Sequence, residues 1–448
     1  MNLREAQRLG WESLDIVLIS GDAYVDHPSF GAAVIGRVLE REGYKVGIIP
    51  QPRIGHPEDF LALGVPRLFF GIAPGNVDSM LIHFTALKRV RNDDPYTPGG
   101  GMTRRPKRAA IAYTSAVRNA APGVPVIIGG IECSTRRLTH YDYWDDSLRR
   151  SILLDSKADL LVWGMGERPI IEIARALDSG RPVRSLEDIP GTVHYAQNPP
   201  AGAVVLPSIE DCKAMPQAFI RHFRIVEDRF DVPLAESTGG RWVVQNPPHS
   251  PMSPEELDAV FALPFARREH PSHADEGGVP ALETVRTSII SHRGCLADCS
   301  FCSISVHQGR ALTSRTEGSV IAEARRIASD PSFKGTISDV GGPSANMYGM
   351  DCATGGCASP RCVSEGICPN LKLNSNRYLD LLEAVAAVPG VKHVFVGSGM
   401  RYDLLMAAGD KAIERVISRF VGGQLKVAPE HSSERVLHLM RKPPWREY

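Results

Sequence analysis

Apolar and polar positions alternate in a strand-then-helix rhythm over the first 197 residues. DIVLIS at 15–20 reads as a buried strand, 30–43 as a helix ending on glycine, and KVGIIP at 45–50 as the next strand. RLFFGIA, VPVIIGG and ADLLVWG repeat the theme, each run reaching a glycine near its end, and 167–179 reads as another helix. Such runs predict a Rossmann-like parallel α/β domain over 1–197. Ligands of such sheets bind beyond the carboxyl ends of the strands, which here carry Gly21-Asp22, Gly129-Gly130-Ile131-Glu132 and Gly164-Met165-Gly166-Glu167. Tight turns are the commoner reason for glycines at those places.

From 198 to 280 the periodicity weakens and prolines gather, which predicts an irregular connecting region with one or two helices. The loop YTPGGGMTRRPKR at 96–108 reads as a mobile surface loop, with phosphate contact as the alternative. A second series then begins: VRTSIIS, a helix at 317–329, GTISDVGG, a helix near 377–387, KHVFVGSG, a helix at 404–420, QLKVAPEH and a helix at 433–440. Four strand-helix repeats predict part of a parallel βα barrel over 281–448, with a cysteine-rich insertion at 346–371.

Charge adds little to this picture. Lys plus Arg and Asp plus Glu are both 51, so nothing argues for electrostatic capture of nucleic acid or an anionic membrane. The N-terminus lacks a signal pattern and no apolar run approaches the roughly 18 residues that span a bilayer, so a cytoplasmic protein is expected. Cysteine placement changes the picture more. Seven of nine cysteines fall between Cys295 and Cys368, a clustering that points to metal ligation rather than a disulfide framework.

GCLADCSFCSI sets Cys295, Cys299 and Cys302 as C-x3-C-x2-C directly after the first strand of the second series. Three thiolates hold three irons of a [4Fe-4S] cubane and leave the fourth without a protein ligand. That vacancy can chelate the amino and carboxylate groups of S-adenosylmethionine (SAM), whose one-electron cleavage gives a 5′-deoxyadenosyl radical. The rival is a zinc site completed by His307. The strand-end position, Phe301 before the third cysteine and Gly294 before the first favour the cubane.

SGDAYVDHPSFG, YDYWDDSLRRSILLDSKADLLVWGMGE, SHRGCLADCSFCSI, DVGGPSANMYGM and GSGMRYDL, in that order, resemble the YgiQ-type radical SAM proteins. The resemblance covers nearly the whole chain. It implies that Cys295, Cys299 and Cys302 ligate the cluster and that the glycine-rich SAM motif of the second strand falls on Gly341 and Gly342, with Pro343 in place of the acid. Ser398, Arg401, Lys426 and Glu430, and Phe301 within the triad, are further candidates for cofactor contact. An electron donor and a substrate not named by the sequence are the implied partners.

Cys352, Cys357, Cys362 and Cys368 form a second group in a 17-residue loop rich in Gly and Pro. They suit either an auxiliary [4Fe-4S] cluster or a structural zinc. Radical SAM proteins with such an N-terminal domain often bind cobalamin through Asp-x-His-x-x-Gly, but here Asp26 and His27 are adjacent, and an N-cap role for Asp26 explains it equally well. The leading expectation is therefore a radical SAM enzyme. The rivals are a metal-stabilised binding module and an inactive, shortened remnant, since the usual barrel has six strands and the second series shows four.

Overall fold

The computed structural model describes residues 3–102, 104–357, 361–364 and 366–448. Two compact units emerge: residues 1–249 with 265–282, and residues 250–264 with 283–448.

The first unit is built on β1 (Ile16–Ser20), β2 (Val46–Pro50), β3 (Phe69–Ala73), β4 (Val126–Ile128), β5 (Leu160–Val162), β6 (Thr192–Ala196), β7 (Val204–Val205), β8 (Leu234–Thr238) and β9 (Arg241–Gln245). Among the described residues these make one sheet of order β7-β8-β9-β6-β5-β4-β3-β1-β2. Strands β1 to β5 run parallel to one another, the pairs β5-β6, β6-β9 and β9-β8 are antiparallel, and β7 is parallel to β8. Both faces are covered, which is why the strands read as unbroken apolar runs. Val17, Ile19, Phe70 and Tyr113 pack on one side and Leu18, Phe69, Ile127 and Ile173 on the other. Gly71 stands opposite Leu18 because a Cβ there would lie 2.6 Å from the Leu18 Cδ2 methyl.

Two expectations are corrected here. Residues 198–280 are not merely an irregular connection, since they supply β7, β8 and β9 and the helices Ile209–Ala214 and Pro216–Asp228. The hairpin β8-β9 turns through Gly239 and Gly240, both at positive φ (55° and 77°), a two-residue turn that flanking proline-rich stretches obscure. The described residues of the loop at 96–108 are also anchored rather than loose. Arg105 is buried and donates to Asp22 at 2.5 Å, to Asp94 at 3.0 Å and to the Pro74 carbonyl at 3.1 Å.

The second unit is a partial parallel βα barrel. β10 (Ser288–Ile290) pairs in parallel with β12 (Asp339–Gly341), and β11 (Thr336–Ile337) with β13 (His393–Val394). QLKVAPEH, expected as a fourth strand, contributes a single parallel bridge between Val427 and Met400. The expected helix at 404–420 is two, Tyr402–Ala408 and Asp410–Phe420, broken where Gly409 takes φ 87°. Ile289, Val340, Tyr378, Leu382, Val394 and Phe420 fill the core of this unit. No helix among the described residues is long and apolar enough to cross a membrane.

Candidate functional site

The triad loop leaves β10 through a turn that only glycine can make. Gly294 has φ 86°, and a Cβ there would sit 1.9 Å from the Ala311 carbonyl oxygen. The loop is then pinned along its length. Gly294 N–H donates to Gln308 Oε1 at 3.2 Å, Cys295 N–H to the Gly309 carbonyl at 3.1 Å, and Cys302 N–H to the Cys299 carbonyl at 3.0 Å. Ser300 ties it to the end of the helix Glu434–Met440, its N–H donating to Met440 O at 3.2 Å and its Oγ to Leu439 O at 2.7 Å. Between the first two cysteines, Asp298 is buried and receives Arg310 Nε at 2.8 Å and Arg441 Nη1 at 2.8 Å, with Arg361 Nε at 3.2 Å.

Cys295 is buried, while Cys299 and Cys302 are partly exposed. Cys295 and Cys299 pack in one apolar cluster with Leu296, Met347, Met350 and Leu404. Burial pushes the Cys295 thiol up to about 11; the Ala297 N–H opposes this, the Cys299 and Cys302 thiols add to it, and the Arg401 charge opposes it. Burial also raises Cys299, against the cations Lys442 and Arg401. Cys295 and Cys299 thus sit in an apolar setting bordered by positive charge. Thiols kept protonated there become thiolates when a metal centre supplies the compensating charge.

Arg401 is buried beside them. Its Nη2 donates to Asp403 at 2.6 Å and to the Val363 carbonyl at 2.9 Å, while its Nη1 is buried without a hydrogen-bond partner among the described residues. Asn346 fixes the backbone here, its Oδ1 accepting from Arg401 N–H at 3.0 Å and its Nδ2 donating to Arg401 O at 2.8 Å.

Gly341 ends β12 and Gly342 follows it, and both are closely packed. A Cβ on Gly341 would lie 2.4 Å from Ser398 Oγ, and one on Gly342 2.5 Å from the His292 ring. Ser398 Oγ donates to Asp339, whose Oδ1 also accepts the Gly397 N–H at 2.8 Å and the Ser398 N–H at 3.0 Å. Burial raises the Asp339 carboxyl, and Lys426 is among the groups that oppose it. Glu430 lies near Lys442 at 3.8 Å and near the Cys299 thiol. Phe301 is 53% exposed. Sequence reasoning did not single out Asp339, His292, Asp298 or Asp403. The signals available were a lone carboxylate inside an apolar strand, a histidine at a strand end, and Arg401-x-Asp403.

The second cysteine group closes on the short pair Asp351–Cys352 with Leu371–Lys372. Residues 358–360 and 365 of the cysteine-rich insertion lie outside the described residues. Burial raises the Cys362 thiol, followed by the thiols of Cys368, Cys357 and Cys352.

Among the described residues no three His, Cys, Asp or Glu side chains converge tightly enough to hold one metal ion. A zinc ion needs its thiolates on one centre at about 2.3 Å. His307 makes no fourth member of a converged set with the triad.

Three comparisons show which known proteins this chain is similar to. A family model described as Radical SAM N-terminal matches residues 1–288. A UPF0313 protein of Geobacter sulfurreducens is 48% identical over 98% of this chain and 74% of its own length. One of Thermotoga maritima is 44% identical over 98% of this chain and 79% of its own. Among solved structures, the radical S-adenosylmethionine methyltransferase TsrM of Kitasatospora setae matches at TM-score 0.50 and 16% identity, over 94% of this chain and 60% of that one. The cobalamin-dependent S-adenosylmethionine radical enzyme OxsB matches at TM-score 0.52 and 10% identity, over 97% of this chain and 47% of that one. The family model, which covers more than half of the chain, places the protein in the radical SAM class, and the solved structures share its fold. Within that class the chain belongs to the UPF0313 family, in keeping with the YgiQ-type resemblance of its motifs.

Proposed function

We propose that the protein is a radical SAM enzyme in which Cys295, Cys299 and Cys302 hold a [4Fe-4S] cluster and Arg401 faces the SAM bound to it. The observation that carries this is the buried, unpartnered Arg401 Nη1 in the same surroundings as the Cys295 and Cys299 thiols. A buried donor without an acceptor is costly unless a ligand completes it, by about 1–3 kcal/mol or more when charged. The carboxylate of SAM is such an acceptor.

When bound, the cluster and SAM supply one-electron cleavage of the sulfonium and a 5′-deoxyadenosyl radical. The chain's own residues bind, orient and shield. Asp403 holds the Arg401 plane so that Nη1 is left toward the ligand. Gly341 and Gly342 keep the β12 end free of side chains, and Asp339 fixes Ser398 beside it. Met347, Met350, Leu296 and Leu404 exclude water around the thiols. Lys426 and Glu430 are assigned to the outer wall of this site, and Phe301 to its exposed rim. An electron donor and a substrate of unassigned identity complete the reading.

Cobalamin, named for OxsB, is not carried over, because the residues do not fit it. Asp26 is committed to Arg37 at 2.5 Å, and both ring nitrogens of His27 are engaged, Nδ1 by Ser29 N–H at 3.1 Å and Nε2 by Arg267 at 2.9 Å. Beyond the carboxyl ends of the strands, Asp22, Arg105 and Asp94 fill space with their own ion pairs, and Glu132 accepts the N–H groups of Ser79 at 3.0 Å and Ala110 at 3.1 Å.

The test is electron paramagnetic resonance of anaerobically reconstituted, dithionite-reduced protein with and without SAM. A change in the cluster signal on adding SAM, weakened in Arg401→Gln, is expected. Identical spectra with and without SAM would overturn the reading.

A further inference from the structure

We infer that Arg137 and Gln245 form a site in the first unit that binds the carboxylate of a small organic acid. It does not depend on the triad assignment. The starting point is a buried charge that no acidic group answers. Arg137 is 5% exposed, and its guanidinium donates to neutral acceptors, Nε to Gln245 Oε1 at 2.5 Å and Nη1 to the Ser134 carbonyl at 2.7 Å. Its Nη2 has no hydrogen-bond partner among the described residues. Other arginines of this unit meet carboxylates: Arg105 meets Asp22 and Asp94, and Arg136, one position before Arg137, meets Asp78.

Gln245 supplies the second observation. It is fully buried at the end of β9, and because Arg137 Nε donates to its Oε1, the other arm of the amide is the Nε2 donor. That Nε2 is buried without a partner among the described residues. Two side chains joined by one hydrogen bond therefore both carry unanswered N–H groups. Their place in the sheet suits a ligand. Gln245 stands opposite Val193 of β6, and Val193 opposite Leu161 of β5, at the edge where the parallel strands end. The mount is also rigid. The Arg137 guanidinium carbon lies 4.5 Å from the centroid of the Trp163 ring, whose Nε1 donates to Asn246 O at 3.2 Å and whose far neighbour Phe230 stacks at 6.2 Å between centroids. The Arg137 carbonyl accepts from Ser151 Oγ at 2.6 Å.

The ligand class follows from the charge and the donors. Burial lowers the Arg137 pKa to about 10, so the guanidinium stays charged at neutral pH. The Trp163 face steadies the cation but leaves the N–H groups in the guanidinium plane unanswered. A buried cation without a counter-charge and a buried amide without an acceptor are both costly, and one anionic acceptor relieves both. A carboxylate has two oxygens for the two donors and a single charge for the single guanidinium. A phosphate group would bring nearly two charges and further oxygens to one cation and one amide. Arg137 thus supplies the charge and Gln245 the orientation.

The experiment is saturation-transfer nuclear magnetic resonance on the whole chain, with sodium propionate as the observed probe at constant ionic strength in sodium chloride, propionamide as the neutral control and inorganic phosphate as competitor. The unaltered protein is compared with Arg137→Gln, Gln245→Glu and Arg401→Gln. Gln245→Glu sets a carboxylate of the chain itself beside Arg137, so it decides the question if Arg137→Gln does not fold. Propionate is expected to bind the unaltered protein and Arg401→Gln alike and to bind Arg137→Gln and Gln245→Glu at least about tenfold more weakly, the loss of a charge-assisted hydrogen bond. Propionamide should receive no transfer. Equal propionate binding by the unaltered protein and Gln245→Glu, or binding by none of the four, overturns the proposal. So does displacement of propionate by phosphate at a lower concentration than propionate itself requires. Loss of binding in Arg401→Gln alone would place the probe beside the cysteine triad and overturn it as well, whereas failure of the triad reading leaves the expected pattern unchanged.

Discussion

Arg401 and Asp403, two residues apart in sequence, form a buried ion pair at 2.6 Å that leaves one guanidinium nitrogen without a partner among the described residues, beside the Cys295 and Cys299 thiols. A pair so close in sequence can fix the orientation of a cation without neutralising every donor. Arg401→Gln should therefore retain the cluster while weakening SAM binding by about 10- to 100-fold, the loss of a charge-assisted hydrogen bond of about 1.5–3 kcal/mol. Calorimetric titration of the reconstituted variant with SAM checks this. Unchanged affinity would remove Arg401 from the site.

Asp298 bears on stability more than on ligand affinity. Its carboxylate faces Arg310, Arg441 and Arg361, so Asp298→Ala leaves buried positive charge uncompensated. A loss of about 3–5 kcal/mol in denaturant unfolding of the cluster-free protein is expected. Asp298→Asn should lose less, since its amide oxygen still accepts from one guanidinium.

The turn before Cys295 gives a narrower test. Gly294→Ala must place a methyl group 1.9 Å from Ala311 O at a backbone φ of 86°, so either the turn opens or the Gly309–Leu312 segment moves. Iron retained per chain after desalting should fall by at least half, while far-ultraviolet circular dichroism stays close to that of the unaltered protein. Full iron retention would show that the loop tolerates the shift.

The strands of the first unit were readable because both faces of the sheet are covered, as Leu18 and Val17 show by being buried on opposite sides. The hairpin Leu234–Thr238 with Arg241–Gln245 was not, because proline-rich neighbours hide it and only its pairing with Thr192–Ala196 makes it part of the sheet. The proposed triad rests on spacing, on its place after a strand and on the family resemblance. The groups that hold it were not legible, since Asp298 meets Arg441 across 143 positions and Asp339 meets Ser398 across 59, distances at which local pattern carries no information.

His292 sets a pH window. It is fully buried against Gly342, and burial lowers its pKa from 6.5 to about 4. The native state therefore resists a proton that the unfolded chain accepts below about 6.5. This contribution is present above pH 6.5 and is lost as pH falls toward 4, worth up to ~3 kcal/mol. Stability of the cluster-free protein should fall more steeply between pH 6.5 and 4 than that of His292→Gln. Parallel curves would show that the ring is protonated in the fold.

The first unit should not retain a corrinoid. Protein purified from cobalamin-supplemented cells is expected to lack a stoichiometric corrinoid absorption spectrum, because Asp26 and His27 are committed to Arg37 and Arg267. A spectrum at one corrinoid per chain would contradict the fit argument.

The central claim is that Cys295, Cys299 and Cys302 hold a cluster that cleaves SAM. The most direct measurement is chromatographic detection of 5′-deoxyadenosine after anaerobic reconstitution, reduction with dithionite and addition of SAM, on the unaltered protein beside the variant with all three cysteines changed to Ala. The account predicts 5′-deoxyadenosine from the first and none from the second. A cluster-loaded protein that yields none, or equal yields from both, would contradict it.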